Sequence, residues 1–458
     1  MTSPPGIKGL NAPAPNINYF TPHHRQSPGT PITPANSTPT LFTPLKIRNV
    51  TLRNRITVAP MCQYSTAPEG PTTGALTDYH IATLGHFALK GAALVFVEAT
   101  GVQANGRISP YCPGLWGDAQ ISGLKRVGDF VKSQGALFGI QLAHAGRKAS
   151  TAPPWVAGST QFKKASLRAG EDQFGWPEDV VGPSGGVEET WDGLGLKEEG
   201  GYWPPRALSE EEIQELVGDW ARAARRAVEA GVDVIEIHAA HGYLIHQFLS
   251  PVSNHRTDRY GGNFENRTRL LLEIIHAIRK EIPTGMPLFV RVSSTEWLED
   301  TEVGKKYGSW TVEDTIELAK LLPQAGVDLL DVSSGGNHPA QTVQQFVVKD
   351  STYQTKIAAR IRNAVKQSGS SLLVGAVGLI TEAEQARDLV EADKLLAQEA
   401  TVAKEITEAK EGKEPSADLL LIGRQFLREP EWVLRVAHKL GVDVAWPTQY
   451  LRIRFPHL

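Results

Sequence analysis

The feature that most constrains this chain is a rhythm. Eight short runs rich in Val, Ile, Leu and Ala recur along it: ITVAPM (56–61), ALVFVEA (93–99), ALFGIQL (136–142), VDVIEIH (232–238), LFVRVS (288–293), VDLLDVS (327–333), LLVGAV (372–377) and ADLLLIG (417–423). Near-continuous apolarity suits strands covered on both faces, as parallel sheets require. The segments between them carry helix signals. In SEEEIQELVGDWARAARRAVEAG (209–231), Ser209 is placed to cap, Glu210 to Glu212 sit at the positive end, and Gly231 stops the helix. ENRTRLLLEIIHAIRKEI and TVEDTIELAKLLPQAG follow the same logic. Eight strand–helix units predict an α/β chain closed as a (β/α)8 TIM barrel. A doubly wound open sheet fits less well. No GxGxxG follows the first run, and polar residues gather after many runs rather than at one crevice.

Composition narrows the class. A net charge of −3 over 458 residues gives no electrostatic case for nucleic acid or an anionic membrane. No run approaches the roughly 18 apolar residues that span a bilayer. No charged and apolar leader opens the chain, so a cytoplasmic location is expected. The two cysteines, Cys62 and Cys112, form no CxxC and no disulfide framework. Residues 1–44 hold ten prolines and no Asp or Glu. Residues 1–40 are therefore expected to be a disordered Pro/Thr/Ser-rich tail, and 41–458 the barrel domain. The segment 149–208, after the third strand, contains Trp155, Trp176, Trp191 and Trp203 and should cap the catalytic end. Residues 394–415 read as a charged helical extension, and 45–55 as a hairpin closing the barrel floor.

In a barrel the chemistry sits where strands end. The first strand ends in Pro60, Met61, Cys62, Gln63 and Tyr64, the third gives Gln141 and then HAGRK, and the fifth carries Arg291. The seventh and eighth end beside Gly375, Gly378, Gly423 and Arg424. Barrel phosphate sites form from those last two loops, where glycines let amides approach the oxygens and an arginine binds them. The fourth strand runs into HAAHGY, with His238, His241 and Tyr243. HxxH could be half of a metal site, but a catalytic zinc needs about three protein ligands and no third is offered. Two imidazole N–H groups could instead hold and polarise a substrate oxygen, with the Tyr243 phenol as acid. His246 and His255 read as packed histidines, and Cys112 as a small buried hydrophobe. Arg291 interrupts an apolar strand, so it pairs either with a structural carboxylate or with an anionic cofactor ring.

These residues resemble the Old Yellow Enzyme family of FMN-dependent ene-reductases. The resemblance rests on HAAHGYLIHQFLSPVSNHRTDRYGGNFENR, APMCQYS, GIQLAHAGRK, LFVRVS and LIGRQFLREP, and covers about residues 41–452. Cysteine in APMCQYS points to the thermophilic-like (YqjM-like) branch. The resemblance implies non-covalent FMN contacted by Ala59, Pro60, Met61, Cys62, Ala99, Gln141, Arg291, Gly423 and Arg424, with Gly378 in the phosphate loop. It implies NADPH or NADH as reductant and an enone as substrate, held by His238 and His241 with Tyr64 as a further contact. Flavin N5 would give hydride to Cβ while Tyr243 protonates Cα, and Cys62 would tune the flavin. No metal is implied. Arg452 aligns with an arginine that in this branch reaches a neighbouring subunit, so a homodimer is an expectation, although six residues follow it here. The same flavin and tyrosine could serve an isomerase or desaturase in a biosynthetic pathway. A non-catalytic flavin-binding barrel is the third reading, and it gives no physical reason to keep His238, His241 and Tyr243.

Overall fold

The structure is a computed structural model and describes residues 11–156, 167–343, 350–392 and 414–455. A hairpin, β1 (Leu45–Ile47) and β2 (Val50–Leu52), leads into the barrel. The barrel strands are β3 (Ile56–Val58), β4 (Leu94–Gly101), β5 (Leu137–Ala143), β8 (Val234–Ala239), β9 (Leu288–Ser293), β10 (Leu329–Ser333), β11 (Leu373–Val377) and β12 (Leu419–Ile422). They are parallel and form a closed ring of eight, so the expected TIM barrel is what the chain adopts. Each of the eight sequence runs supplies one strand.

The helix between β5 and β8, Glu210–Glu229, follows its sequence signals. Glu212 N donates to Ser209 Oγ at 3.2 Å, and Ser209 N donates to Glu212 Oε2 at 2.8 Å. This reciprocal pair satisfies amides that the helix start leaves without partners. Ile213, Leu216, Trp220, Ala223 and Ala227 recur at three- and four-residue spacing and bury one face. Gly231 takes a left-handed φ of 81° and lets the chain turn into β8.

Inside the barrel the layers follow the two-residue strand period. Val234, Phe289 and Leu329 pack with Phe96, Leu94 and Leu419 in a cluster that includes Ile47 and Leu52 of the hairpin. The hairpin therefore plugs the floor, as expected. Gly139 makes room for Phe96, because a Cβ there would lie 2.5 Å from its ring. Two residues further along the same faces come Gln141, Glu236, Arg291 and Asp331. The apolar filling thus gives way to a polar layer at the C-terminal end.

One expectation needs correction. From residue 11 onward the Pro-rich segment is not a disordered tail. Gly29 N and Ile32 N donate to Ala445 O and Asp443 O, both at 2.9 Å, and Ala445 N donates to Thr30 O at 2.8 Å. His24 Nε2 lies 2.9 Å from Gln134 Oε1, and Leu41 and Phe42 are fully buried. The segment builds no core of its own. Extended, proline-rich backbone pairs with the C-terminal segment and borrows the barrel's surface. Residues 1–10 lie outside the described residues. So does the extension expected over 394–415, apart from Glu414 and Pro415.

The described residues of the insertion 149–208 form short 3-10 turns and a two-strand parallel pair, β6 (Val181–Gly182) with β7 (Arg206–Ala207). Its Trp191 Nε1 donates to Gly336 O at 2.9 Å, on the loop after β10. The described part of the insertion therefore reaches the C-terminal end of the barrel.

The docked segment makes a testable demand at Gly29. Its φ is 79°, and a Cβ there would lie 2.4 Å from Gly91 O. Gly29→Ala should lower unfolding stability by roughly 1–3 kcal/mol in a denaturant titration. A variant as stable as the parent would mean that the segment does not dock.

Candidate active site

The polar layer is a network of opposed charges. Gln141 Nε2 donates to Glu236 Oε1 at 2.7 Å, and all four groups of the layer are buried. Arg291 Nε lies 3.2 Å from Asp331 Oδ2, on the neighbouring strand in direct register. The contact is an ion pair without an aligned hydrogen bond, and Glu236 Oε2 also has no hydrogen-bond partner among the described residues. Burial pushes Glu236 up to about 8; Asp331 adds to this and Arg291 opposes it. Burial raises Asp331 to about 6 against the pull of Arg291. Burial thus favours the protonated form of both carboxyls, and the Arg291 charge opposes it in both.

Above this layer β8 ends and the chain makes a strained turn. His241 has φ 59° and Gly242 φ 72°. Gly242 is required, because a Cβ there would lie 2.2 Å from Gly336 O. Side chains hold the turn, among them Gln247, whose Nε2 donates to Gly242 O at 2.7 Å. His241 N donates to Ser293 Oγ at 2.9 Å, and Gly242 N donates to His246 Nδ1 at 2.8 Å. Lys148 Nζ donates to His241 O at 2.9 Å and to Gly336 O at 3.0 Å.

The turn stacks three rings edge to face. The His238 ring is 5.1 Å from that of His241 and 4.9 Å from that of Tyr243, both nearly perpendicular. Ala240 N donates to His238 Nδ1 at 3.2 Å, which fixes the tautomer with its proton on Nε2. His241 Nε2 lies 2.7 Å from Ser333 Oγ. The two imidazoles are therefore not equivalent. His238 keeps Nε2–H available, whereas one nitrogen of His241 is already engaged. Burial, then the Arg291 charge, holds both well below the usual histidine range. Burial holds the Tyr243 phenol well above its usual range, with Cys62 and Tyr64 adding to the effect. Burial, with Arg147 nearby, brings Lys148 down to about 7. Its ammonium stands 5.2 Å from the Tyr243 ring centroid and 4.8 Å from that of Trp191.

One cavity of about 430 Å³ opens beside these groups. Ala59, Pro60, Met61, His241, Tyr243 and Arg291 line one part of it, and Gly378, Gly423 and Arg424 another. The sequence-chosen residues of strands one, four, five, seven and eight thus converge. Cys62, Tyr64 and Tyr243 pack together beside Ala99 and Cys112. A hydrogen bond with the Cys112 thiol and burial raise Cys62 well above the usual thiol range. Gln141 lies under the site, through Glu236. Gly375 does not belong to the phosphate loop. It sits in the barrel wall, where a Cβ would come within 2.6 Å of Leu421. His246 is buried, but His255 is partly exposed and 2.8 Å from Glu189 Oε1. Among the described residues, no group of three His, Cys, Asp or Glu side chains could hold a metal.

The sequence placed no site residue on the sixth strand. Asp331, Ser333, Gly335 and Gly336 all come from VDLLDVSSGG, and the last three line the cavity. Its signal was the one used elsewhere, a polar residue in an apolar run followed by glycines. Tyr353 and Arg428 also line the cavity; they sit on helices, where strand-end reasoning does not look.

The cavity fits a planar anionic cofactor with a phosphate tail. A guanidinium without an aligned hydrogen bond at Nε faces one part, and the two glycine-bearing loops with Arg424 and Arg428 wall the other. Comparison with known proteins is decisive. The model of the NADH:flavin oxidoreductase / NADH oxidase family, an FMN family, matches residues 40–443.

The chain belongs to this family.

An NADH:flavin oxidoreductase of Gibberella zeae is 42% identical over 96% of this chain and 94% of its own length. An NADPH dehydrogenase of Listeria innocua is 40% identical, over 90% of this chain and 98% of its own. The structure of an Old Yellow Enzyme homologue from Zymomonas mobilis superposes with a TM-score of 0.61, at 25% identity, over 92% of this chain and 97% of that one. The protein is therefore a flavin oxidoreductase that uses FMN, with NADH or NADPH as reductant. Among the described residues, no helix is long and apolar enough to cross a membrane.

The buried imidazoles of this flavoenzyme carry a pH prediction. Their lowered values keep both neutral through the physiological range. The stability gained by keeping them neutral is present at high pH and is lost as pH falls below about 6.5, the unfolded value. Histidine side-chain NMR between pH 8 and 5.5 should show His238 and His241 neutral throughout, with the His238 proton on Nε2. A midpoint near 6.5 for either ring would contradict this.

Proposed function

We propose that this flavin oxidoreductase is an ene-reductase, which reduces the C=C bond of α,β-unsaturated carbonyl compounds. One observation carries the reading. His238 Nε2–H and the Tyr243 hydroxyl have no hydrogen-bond partner among the described residues, and their rings are locked 4.9 Å apart, with Tyr243 at the cavity wall. A hydrogen-bond donor and an acid held side by side suit a substrate that needs both.

Reduction of an enone requires a hydride at Cβ and a proton at Cα. FMN, when bound, supplies the two-electron chemistry. Ala59, Pro60, Met61 and Arg291 would hold its ring, with Gln141 bracing the layer beneath, Ala99 and Cys62 beside it, and Gly378, Gly423 and Arg424 at its phosphate. His238 Nε2–H, with the remaining nitrogen of His241, would bind the carbonyl oxygen and draw charge onto it. Tyr243 would give its proton to Cα. A phenol held above its usual range keeps that proton at neutral pH until a stronger base appears, and a developing enolate is one. The Lys148 ammonium lies near enough to the ring to stabilise the phenolate left behind.

Cys62 in APMCQYS supports the thermophilic-like branch. The exposed C-terminal turn around Arg452, with Leu451 and Ile453 beside it, supports a homodimer. A cytoplasmic location completes the reading.

Tyr243→Phe should slow reoxidation of the reduced enzyme by 2-cyclohexenone by about 10²–10⁴-fold in stopped flow. A rate equal to the parent's would remove Tyr243 as the acid. His238→Ala should weaken binding of p-hydroxybenzaldehyde by about tenfold or more, the scale of one hydrogen bond to a charged group. Unchanged affinity would remove His238 as the oxyanion donor.

A further inference from the structure

The HAGRK motif brings to the barrel mouth a cation that the flavin does not account for. Four basic side chains line the cavity, Lys148, Arg291, Arg424 and Arg428, and no Asp or Glu is among its described lining residues. Three of the four have a use. Arg291 is backed by Asp331, and Arg424 and Arg428 stand beside the glycine loops that would take the FMN phosphate. Lys148 is left over.

Its surroundings supply hydrogen bonds but no opposite charge. An ammonium has three N–H groups. Two of them go to His241 O and Gly336 O, at 2.9 and 3.0 Å. The third has no partner among the described residues. The rings of Trp191 and Tyr243 flank the nitrogen, with centroids at 4.8 and 5.2 Å. Trp191 is itself tied to Gly336, so the insertion closes one side. No carboxylate pairs with Lys148 among the described residues, and the neighbouring charge that acts on it, Arg147, is positive as well. Arg147 does have a carboxylate, Glu189 Oε2 at 3.9 Å. Withdrawing an ammonium from water without a counter-charge is costly. The spare N–H and the missing anion belong to a side chain that lines the cavity together with His241 and Tyr243. A bound molecule can supply the charge that the protein does not.

We propose that Lys148 anchors an anion subsite, which receives a carboxylate carried on the α-carbon of the substrate. Tyr243 is the acid for that carbon and Lys148 is its neighbour, so the charge belongs on the Cα side of the double bond. The inference rests on the ene-reductase reading and adds a substrate class to it, enones with a carboxylate next to the carbonyl. A compact ammonium with one N–H to spare suits one anionic oxygen, where a guanidinium would ask for two.

The test uses the FMN-loaded full-length protein, Lys148→Met and Lys148→Arg. Calorimetry compares salicylate with salicylamide, which share a ring and a hydroxyl, differ in charge and need no turnover. In the parent the carboxylate should bind about ten-fold more tightly, the scale of one hydrogen bond between charged groups. Lys148→Met should abolish that preference, and Lys148→Arg should keep most of it. A loosened His241 turn would weaken both ligands together and leave their ratio unmoved. A ratio in Lys148→Met within about two-fold of the parent's therefore overturns the inference. So does a parent that binds the amide as tightly as the carboxylate, a result that needs no variant. Separately, stopped-flow reoxidation compares 2-cyclohexenone with its 2-carboxylate, and the reduced parent should saturate at a lower concentration of the carboxylate. If the parent reduces neither enone, the ene-reductase reading falls, and the calorimetric ratio still decides the subsite.

Discussion

A guanidinium at the base of the barrel mouth is the group on which the rest depends. Burying a cation costs several kcal/mol unless charge and hydrogen bonds offset it. Asp331 supplies the charge from the adjacent strand, in register with Arg291. Burial favours the protonated form of Glu236, and Gln141 donates to its Oε1. Arg291, so paired, still lines the cavity. An apolar residue at 291 would leave Asp331 buried without its counter-charge.

The second constraint is the turn after β8. A non-glycine residue at positive φ is held there only because its surroundings over-determine it. Ser293, Lys148 and His246 each fix one backbone group of His241–Gly242. His246 is itself backed by Glu296, whose Oε1 lies 3.4 Å from its Nε2 and also accepts from Asn337 Nδ2 at 2.6 Å. The reach of this network explains why the rings of His238, His241 and Tyr243 can stand at fixed right angles. Barrel strands supply the coarse position, and hydrogen bonds to the turn supply the fine one.

Much of this was legible in the sequence because strand burial and strand-end chemistry leave local marks. Apolar runs gave the barrel, and polar residues closing those runs gave Arg291, His238, His241 and Tyr243. What stayed hidden was relational. Nothing local says that Asp331 will face Arg291, that Ser333 will take one nitrogen of His241, or that Gly375 will serve packing rather than a loop. The Pro-rich segment misled for the same reason. Its composition cannot build a core, but it can borrow one, and the hydrogen bonds to Asp443 and Ala445 are invisible without the C-terminus in place. The family resemblance supplied the flavin and the enone, which residue chemistry alone left as a phosphate, an anionic ring and an oxygen to be held.

The most direct measurement is the two-electron midpoint potential of the bound flavin, taken by dye-coupled titration in the parent and in Arg291→Met. A cation facing the ring favours the reduced, more negative cofactor, so the potential should fall by about 30 mV or more, equivalent to about 1.4 kcal/mol for two electrons. A potential unchanged within about 10 mV, with FMN still bound, would be less than about 0.5 kcal/mol. It would show that Arg291 does not face the ring and that its pairing with Asp331 is structural alone.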